Sequence, residues 1–283
     1  MTEEKRNQKQ AGFEVKTFPV PFPLKEIKEN INIISKTTYQ DSSQQIINQG
    51  IKFHTEGNIL KAKKYYEDCL NRGVIDPVIF SNYGIILKDL GRFKEAEDLL
   101  RKAIQINPKF TDAYLNLGAV MIDLGNIKEA EFLTRKAITV NPNFALSYSN
   151  LGSILKDLGK LEESKISLRK SIKIYPKNPE AYNNLANTLK DLGVYQEALK
   201  MLLKAIEINP SYGIAYSNAG TILSELGKTY EAFEYFYKAL IIEPDKSSHQ
   251  FLMLSFLRDT KNFNFNNDKL KFVLEFLINK NDL

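Results

Sequence analysis

One cysteine, Cys69, leaves no pair for an internal disulfide, which fits a reducing compartment. Only two histidines are present, His54 and His249, and they stand far apart in the chain. With one thiol they make no zinc-ligand spacing, and no glycine-rich loop has the spacing of a phosphate site. These shortages predict that the chain is not an enzyme and carries no cofactor or metal. No apolar run approaches the roughly 18 residues a membrane span requires. Nor does an apolar stretch follow the opening Met-Thr-Glu-Glu-Lys-Arg, where a secretory signal would have one. The expectation is a cytoplasmic protein without membrane attachment. The net positive charge is modest as well, at +5 over 283 residues. Residues 1–42 and 247–283 each hold one of those charges, so about +3 is spread over the rest. A nucleic-acid binder concentrates such charge on one face, and this chain does not.

What the chain has is hydrophobic content, at 43%, and periodicity. Pro108, Pro142, Pro176, Pro210 and Pro244 each stand 34 residues after the last. Gly91, Gly125, Gly159, Gly193 and Gly227 keep the same period, as do Gly84, Gly118, Gly152 and Gly220, with Ala186 filling the gap. Alanine recurs at Ala96, Ala130, Ala198 and Ala232, and again at Ala103, Ala137, Ala205 and Ala239, with Ser164 and Ser171 replacing it once each. Six units are in phase: 43–76, 77–110, 111–144, 145–178, 179–212 and 213–246. Such a period marks a solenoid of stacked supersecondary units.

Within the unit 77–110, Phe80, Tyr83, Leu87 and Leu90 recur at helical spacing and predict a first amphipathic helix over Val78–Leu90. Gly91 follows where a left-handed C-terminal cap belongs. A second helix is predicted from Phe93 to Ile106, ended by Pro108. Two helices joined by so short a turn lie antiparallel. Gly84, Ala96 and Ala103 are expected at the points of closest approach, with Leu99, Leu100 and Ile104 filling the space between. Cys69 takes the place of the second alanine and is expected to be a small core residue. No single pair buries its apolar faces alone, so neighbouring pairs must stack, at about 1.5–3 kcal/mol per buried large apolar side chain.

The pattern resembles the tetratricopeptide-repeat (TPR) family. In the unit 111–144 the motif is carried by Tyr114, Leu117, Gly118, Met121, Ala130 and Pro142, with Thr134 replacing the second aromatic. In 213–246 it is carried by Tyr216, Gly220, Leu223, Ala232, Phe236 and Pro244, with Ala219 where leucine is usual. The resemblance implies an all-α fold, a right-handed α-solenoid of antiparallel helix pairs with first helices lining the inner wall. It also implies a scaffold whose partner is a protein or peptide.

One position stands out within that frame. Asn48, Asn82, Asn116, Asn150, Asn184 and Asn218 occupy the same place in all six first helices. Asparagine is a mediocre helix former, so propensity does not explain it. Its amide offers donors and an acceptor, which suits it to holding the main chain of an extended peptide. The ladder resembles that of the repeat superhelix of O-linked N-acetylglucosamine transferases, which implies that these six residues contact a bound polypeptide. Duplication that copies a residue without using it is the other reading. By the same family resemblance Ser81, Ser149, Asn183 and Ser217, with Lys88-Asp89, Lys156-Asp157 and Lys190-Asp191, are further groove positions, which implies a polar and nearly neutral wall. Clamps for a chaperone's C-terminal carboxylate need early lysines and an arginine. Ile47, Asp112 and Asn116 stand there instead, which speaks against that mode. Arg101-Lys102, Arg135-Lys136 and Arg169-Lys170 on the second helices make either a basic seam or a solvated face of ordinary helix pairs such as Glu97–Arg101 and Glu131–Arg135.

The ends lie outside the register. Residues 1–42 form a polar lead-in, disordered over 1–17. Its Phe18-Pro19-Val20-Pro21-Phe22-Pro23 enforces an extended strand, and a short helix is expected from Lys25 to Ile34. Residues 247–283 are read as C-terminal capping helices, one over 247–258 and one from Lys269 to Ile278 with Asp268 as its N-cap. Leu270, Phe272, Val273, Leu274, Phe276, Leu277 and Ile278 are apolar on more than one side. Either ordinary intrachain packing takes up these faces, or a neighbour is missing: a second copy of the chain, or a domain, catalytic or not, that follows in longer relatives. The alternative function is then the substrate-recruiting region of a truncated or split glycosyltransferase- or sulfotransferase-type enzyme.

Overall fold

A computed structural model describes residues 38–260 and 267–281. Residues 1–37 of the lead-in, with its extended segment and its expected short helix, lie outside the described residues, as does the loop 261–266, while 38–42 open the first helix. Fourteen helices and no strand occur among the described residues. In chain order they are α1 (Thr38–Thr55), α2 (Ile59–Asn71), α3 (Pro77–Asp89), α4 (Phe93–Ile106), α5 (Thr111–Asp123), α6 (Ile127–Val140) and α7 (Ala145–Asp157). There follow α8 (Leu161–Ile174), α9 (Pro179–Asp191), α10 (Tyr195–Ile208), α11 (Gly213–Glu225), α12 (Thr229–Ile242), α13 (Ser247–Asp259) and α14 (Asn267–Asn281). The fold is an all-α solenoid of helix pairs. Two compact units divide after Ile154, within α7.

Punctuation by glycine, proline and asparagine decides where these helices stop and start. At the end of α3, Gly91 has φ of +74°. Its N–H reaches the Lys88 carbonyl at 2.9 Å, and the Arg92 N–H reaches the Leu87 carbonyl at 2.8 Å, the paired bonds of a Schellman motif. The same left-handed glycine recurs at Gly125, with φ of +78° and open space where a Cβ would stand. Gly125→Ala should therefore cost about 1–2 kcal/mol through backbone strain alone, read as a lower melting temperature with an unchanged helical spectrum. Helix starts are capped by the Asp76 carboxylate, which accepts from the Val78 N–H at 2.7 Å, and by Asn178, which accepts from Glu180 N–H at 3.0 Å and Ala181 N–H at 3.3 Å. Pro77 and Pro179 follow in the first turn, where no backbone N–H is missed.

In the unit ending at Ile154, α3 packs on α4, α4 on α5, α5 on α6, and α3 also touches α5. Where the helices come closest the residues are small. Ala62, Cys69, Ala96, Ala103, Ala130 and Ala137 are all fully buried, so Cys69 is a core residue and burial pushes its thiol pKa up. A Cβ on Gly84 would lie 2.9 Å from Leu100 Cγ and 3.3 Å from the Ala96 carbonyl oxygen. Leu100 is fully buried, Leu99 and Ile104 partly so. Leu90 departs from the expected apolar face: it is 47% exposed because it caps the helix, turning outward beside Gly91.

In the unit beginning at Leu155, α9 packs on α8 and α10, and α11 on α10 and α12. One core cluster runs from Leu168 through Leu185, Leu189 and Leu202 to Ile222. A second joins Phe233, Phe236 and Leu240 of α12 to Met253 and Phe256 of α13 and to Val273 and Leu277 of α14. The last helix begins at Asn267, so Asp268 lies in its first turn, not outside it as a cap. It has also slipped out of phase. Thirty-four residues after Thr229 is 263, yet α14 starts at 267.

Candidate peptide-binding site

Six first helices carry the asparagine ladder, and the amides of Asn116 and Asn218 reach the preceding first helix while that of Asn82 reaches the second helix α2. In the unit ending at Ile154, Asn48 is half-buried, whereas Asn82, Asn116 and Asn150 are 3%, 2% and 7% exposed. Asn116 Nδ2 donates to Ser81 Oγ at 3.0 Å, and Asn82 Nδ2 donates to the Tyr66 hydroxyl at 3.3 Å. In the other unit Asn184 and Asn218 are half-buried, and Asn218 Nδ2 donates to Asn183 Oδ1 at 2.8 Å. Two rungs bond the residue 35 before them, and in both cases that residue is polar. Ser81 and Asn183 meet this condition, whereas Ile47, before Asn82, and Leu115, before Asn150, do not.

Part of each bonded amide is thus spent between helices. A primary amide has two N–H donors and a carbonyl with two lone pairs, so one such bond leaves capacity for a ligand where solvent reaches it. The rungs that solvent reaches most are Asn48, Asn184 and Asn218. Asn48 also lines an open hollow of about 480 Å³ with Gln45, Ile46, Gln49 and Tyr65.

Charges around the ladder cancel within the array. Lys88 Nζ lies 3.3 Å from Asp123 Oδ2, and Lys156 Nζ 3.8 Å from Asp191 Oδ2, both pairs 35 residues apart. The second-helix arginines behave as a solvated face. Arg101 bonds Glu97 at 2.8 Å and Glu129 at 2.7 Å, Arg135 bonds Glu131, and Arg169 bonds Glu197 at 2.7 Å. The Arg101 guanidinium holds the Glu97 carboxyl below its ordinary pKa. Exposed pairs of this kind contribute about 0–1 kcal/mol each.

A chain of Ser217, His249 and Glu243 was not legible as a group from residue type. It has the members of a nucleophile triad, but Ser217 and His249 are each 2% exposed, so the hydroxyl has no face open to a substrate. Among the described residues no cluster of three or more His, Cys, Asp or Glu side chains is placed to hold a metal ion. No described helix is long and apolar enough to cross a membrane.

Models of the tetratricopeptide repeat match residues 87–151, 179–212 and 214–246, and a TPR repeat model matches 152–193. A curated relative, the Hsp70-Hsp90 organising protein of Plasmodium falciparum, is 30% identical over 76 residues. The match covers 27% of this chain and 30% of that protein, well under half of either. Among solved structures, the Cut9-Hcn1 hetero-tetramer of APC/C aligns with a TM-score of 0.68 at 15% identity, over 76% of this chain and 42% of that one. PilF of Pseudomonas aeruginosa aligns at 0.65 and 16% identity, over 77% of this chain and all of its own. YrrB, described as a TPR protein with an unusual peptide-binding site, aligns at 0.50 and 22% identity, over 66% and 96%. At these identities the structural likenesses show the fold alone.

Proposed function

The chain belongs to the tetratricopeptide-repeat family, and from that premise we propose that it is a protein-interaction scaffold holding an extended polypeptide along the groove lined by its first helices. The observation that carries this reading is an amide at one position of six successive first helices, with solvent-reached rungs at Asn48, Asn184 and Asn218. Spaced amides hold a main chain without reading its side chains, since every residue but proline offers the same N–H and C=O. Asn82, Asn116 and Asn150 are candidate contacts as well, with less of each amide open. The near-neutral wall supports a polypeptide of mixed charge. It offers no lysine and arginine set for a terminal carboxylate.

The experiment is an anisotropy titration of a fluorescent, unstructured peptide panel against the intact chain and its Asn48→Ala, Asn184→Ala, Asn218→Ala triple variant. At about 0.5–1.5 kcal/mol per lost hydrogen bond, affinity for any binding peptide should fall at least about tenfold, while the far-ultraviolet spectrum stays helical. Unchanged affinity would remove the ladder from the site.

A second reading rests on the last helix. Phe272, Leu274 and Ile278 of α14 are 44%, 43% and 59% exposed, an apolar surface that suits a second copy or a following domain. On that reading the array recruits substrate for a glycosyltransferase- or sulfotransferase-type partner, and a catalytic reading frame adjoining the gene would favour it.

A further inference from the structure

One junction breaks the repeat at three positions at once. His249 stands in α13 where earlier first helices carry Ile79, Ala113, Ser147, Ala181 and Ala215, every one fully buried. Glu243 stands in the connector where others carry Asn107, Asn141 and Asn209, each of which caps the backbone N–H two residues on. Gly213 begins α11 where other first helices start with a larger residue. A Cβ there would fall 2.5 Å from Glu243 Oε2 and 2.9 Å from His249 Nε2. The three departures fit one another: the glycine makes room for the carboxylate and ring that replace an asparagine and an alanine.

Both ring nitrogens of His249 are engaged. Nε2 lies 2.6 Å from Glu243 Oε2 and Nδ1 lies 2.8 Å from Ser217 Oγ. The ionised carboxylate accepts from Nε2–H, so the neutral ring accepts the Ser217 O–H at Nδ1 (the tautomer follows from the partners). Ser217 belongs to α11, Glu243 to the connector and His249 to α13, so the ring ties the C-terminal pair to the unit before it.

We infer that this junction is a proton-operated latch: the neutral His249 ring fastens α13 and α14 to the preceding unit, and a proton on that ring releases them. The proton would arrive at Nδ1, facing a hydroxyl that is already donating, and Ser217 must turn its hydrogen away. The resulting cation would be 2% exposed. The charged groups around it are Glu243, which favours it, and Lys246, which lies 3.2 Å from the same Glu243 oxygen and opposes it. Asp245 lies on the same connector. Beyond Glu243 stand Tyr212, whose buried phenol stays protonated, and Glu180. The face α11 presents to the ring is neutral, made of Gly213 and Ser217.

Burial is the largest influence and holds His249 below its ordinary 6.5, against the pull of Glu243. A group depressed in this way is protonated first in the released chain. The latch is therefore intact above pH 6.5 and weakens as pH falls toward the folded value. Glu243 is a separate, lower event. Burial raises its carboxyl, His249 and Lys246 outweigh that, and it stays below 4.5. Release bares the apolar faces of Phe236, Leu240, Met253 and Phe256.

Hydrogen exchange on the full chain at pH 7.5 and 5.5, corrected for intrinsic rates, tests the latch. Opening of α13 should rise by up to about tenfold for each pH unit below 6.5, while α4 and α5 stay unchanged. The double variant His249→Ala, Glu243→Asn restores what the other junctions carry and should open equally at both pH values. No acid opening in the wild type, or the same opening in the double variant, overturns the proposal. Should that variant fail to fold at pH 7.5, the wild type still decides through the His249 ring titration followed by NMR. Its midpoint must coincide with that of α13 opening, and a mismatch beyond half a pH unit sinks the latch.

Discussion

Phe236→Ala should destabilise the C-terminal end of the chain by about 3–5 kcal/mol, seen in urea as an early transition that leaves the helices before α11 folded. Phe236 is 3% exposed, its ring centroid lies 5.2 Å from that of Phe256, and it belongs to the cluster joining α12, α13 and α14. In a linear array each pair contacts only its neighbours, so a cavity there loosens the elements that share it. A cycle with Gly220 tests the geometry. A Cβ on Gly220 would lie 2.9 Å from two carbons of the Phe236 ring, so Gly220→Ala is costly in the wild type. With the ring gone it should turn stabilising, because alanine exceeds glycine in a helix by about 1 kcal/mol and fills part of the void. Additive effects would show that the ring has room to move.

Leu100→Ala should cost about 2–5 kcal/mol, whereas Leu90→Ala, ten residues earlier, should stay within about 0.5 kcal/mol. Both leucines continue apolar patterns in the same repeat. Leu100 is fully buried against the open side of Gly84, while Leu90 is 47% exposed. Melting curves followed by circular dichroism separate the two. Because α4 has α3 on one side and α5 on the other, the Leu100 loss should broaden the transition of its whole unit.

These contrasts mark where the sequence was readable. Period and punctuation placed the helix pairs: α4 runs from Phe93 to Ile106 as the spacing around Gly91 and Pro108 implies. Cys69 and the alanines were placed in the core by position alone. Legibility failed where a neighbouring turn or helix decided. Leu90 has helical spacing but meets a left-handed turn. Asp268 looks like a cap, yet α14 had left the 34-residue phase, so register no longer helped. The ladder was visible as six asparagines. Its burial was not, because an amide's environment depends on what a neighbouring repeat contributes, 35 residues earlier for Asn116 and Asn218 and 16 earlier for Asn82. Ser81 and Asn183 held that signal, but they were read as further lining of the groove and not as partners of Asn116 and Asn218. The His249 junction carried a signal too, in three simultaneous departures from the repeat, which counting residue types passes over.

The matched small and large residues between paired helices bear on how near-identical hairpins avoid exchanging partners as the chain emerges. Gly50 faces the ring of Tyr66, Gly84 faces Leu100, Gly118 faces Thr134 and Gly220 faces Phe236. These four hairpins thus differ in the key that each glycine meets, although Leu168 and Leu202 repeat the residue of Leu100 at the same register. A helix carrying Phe236 set against Ala186 would drive its ring into a methyl group, and Thr134 set against Gly220 would leave a void. Where the contact differs, a mispairing that the shared 34-residue pattern would otherwise permit meets a clash or a void.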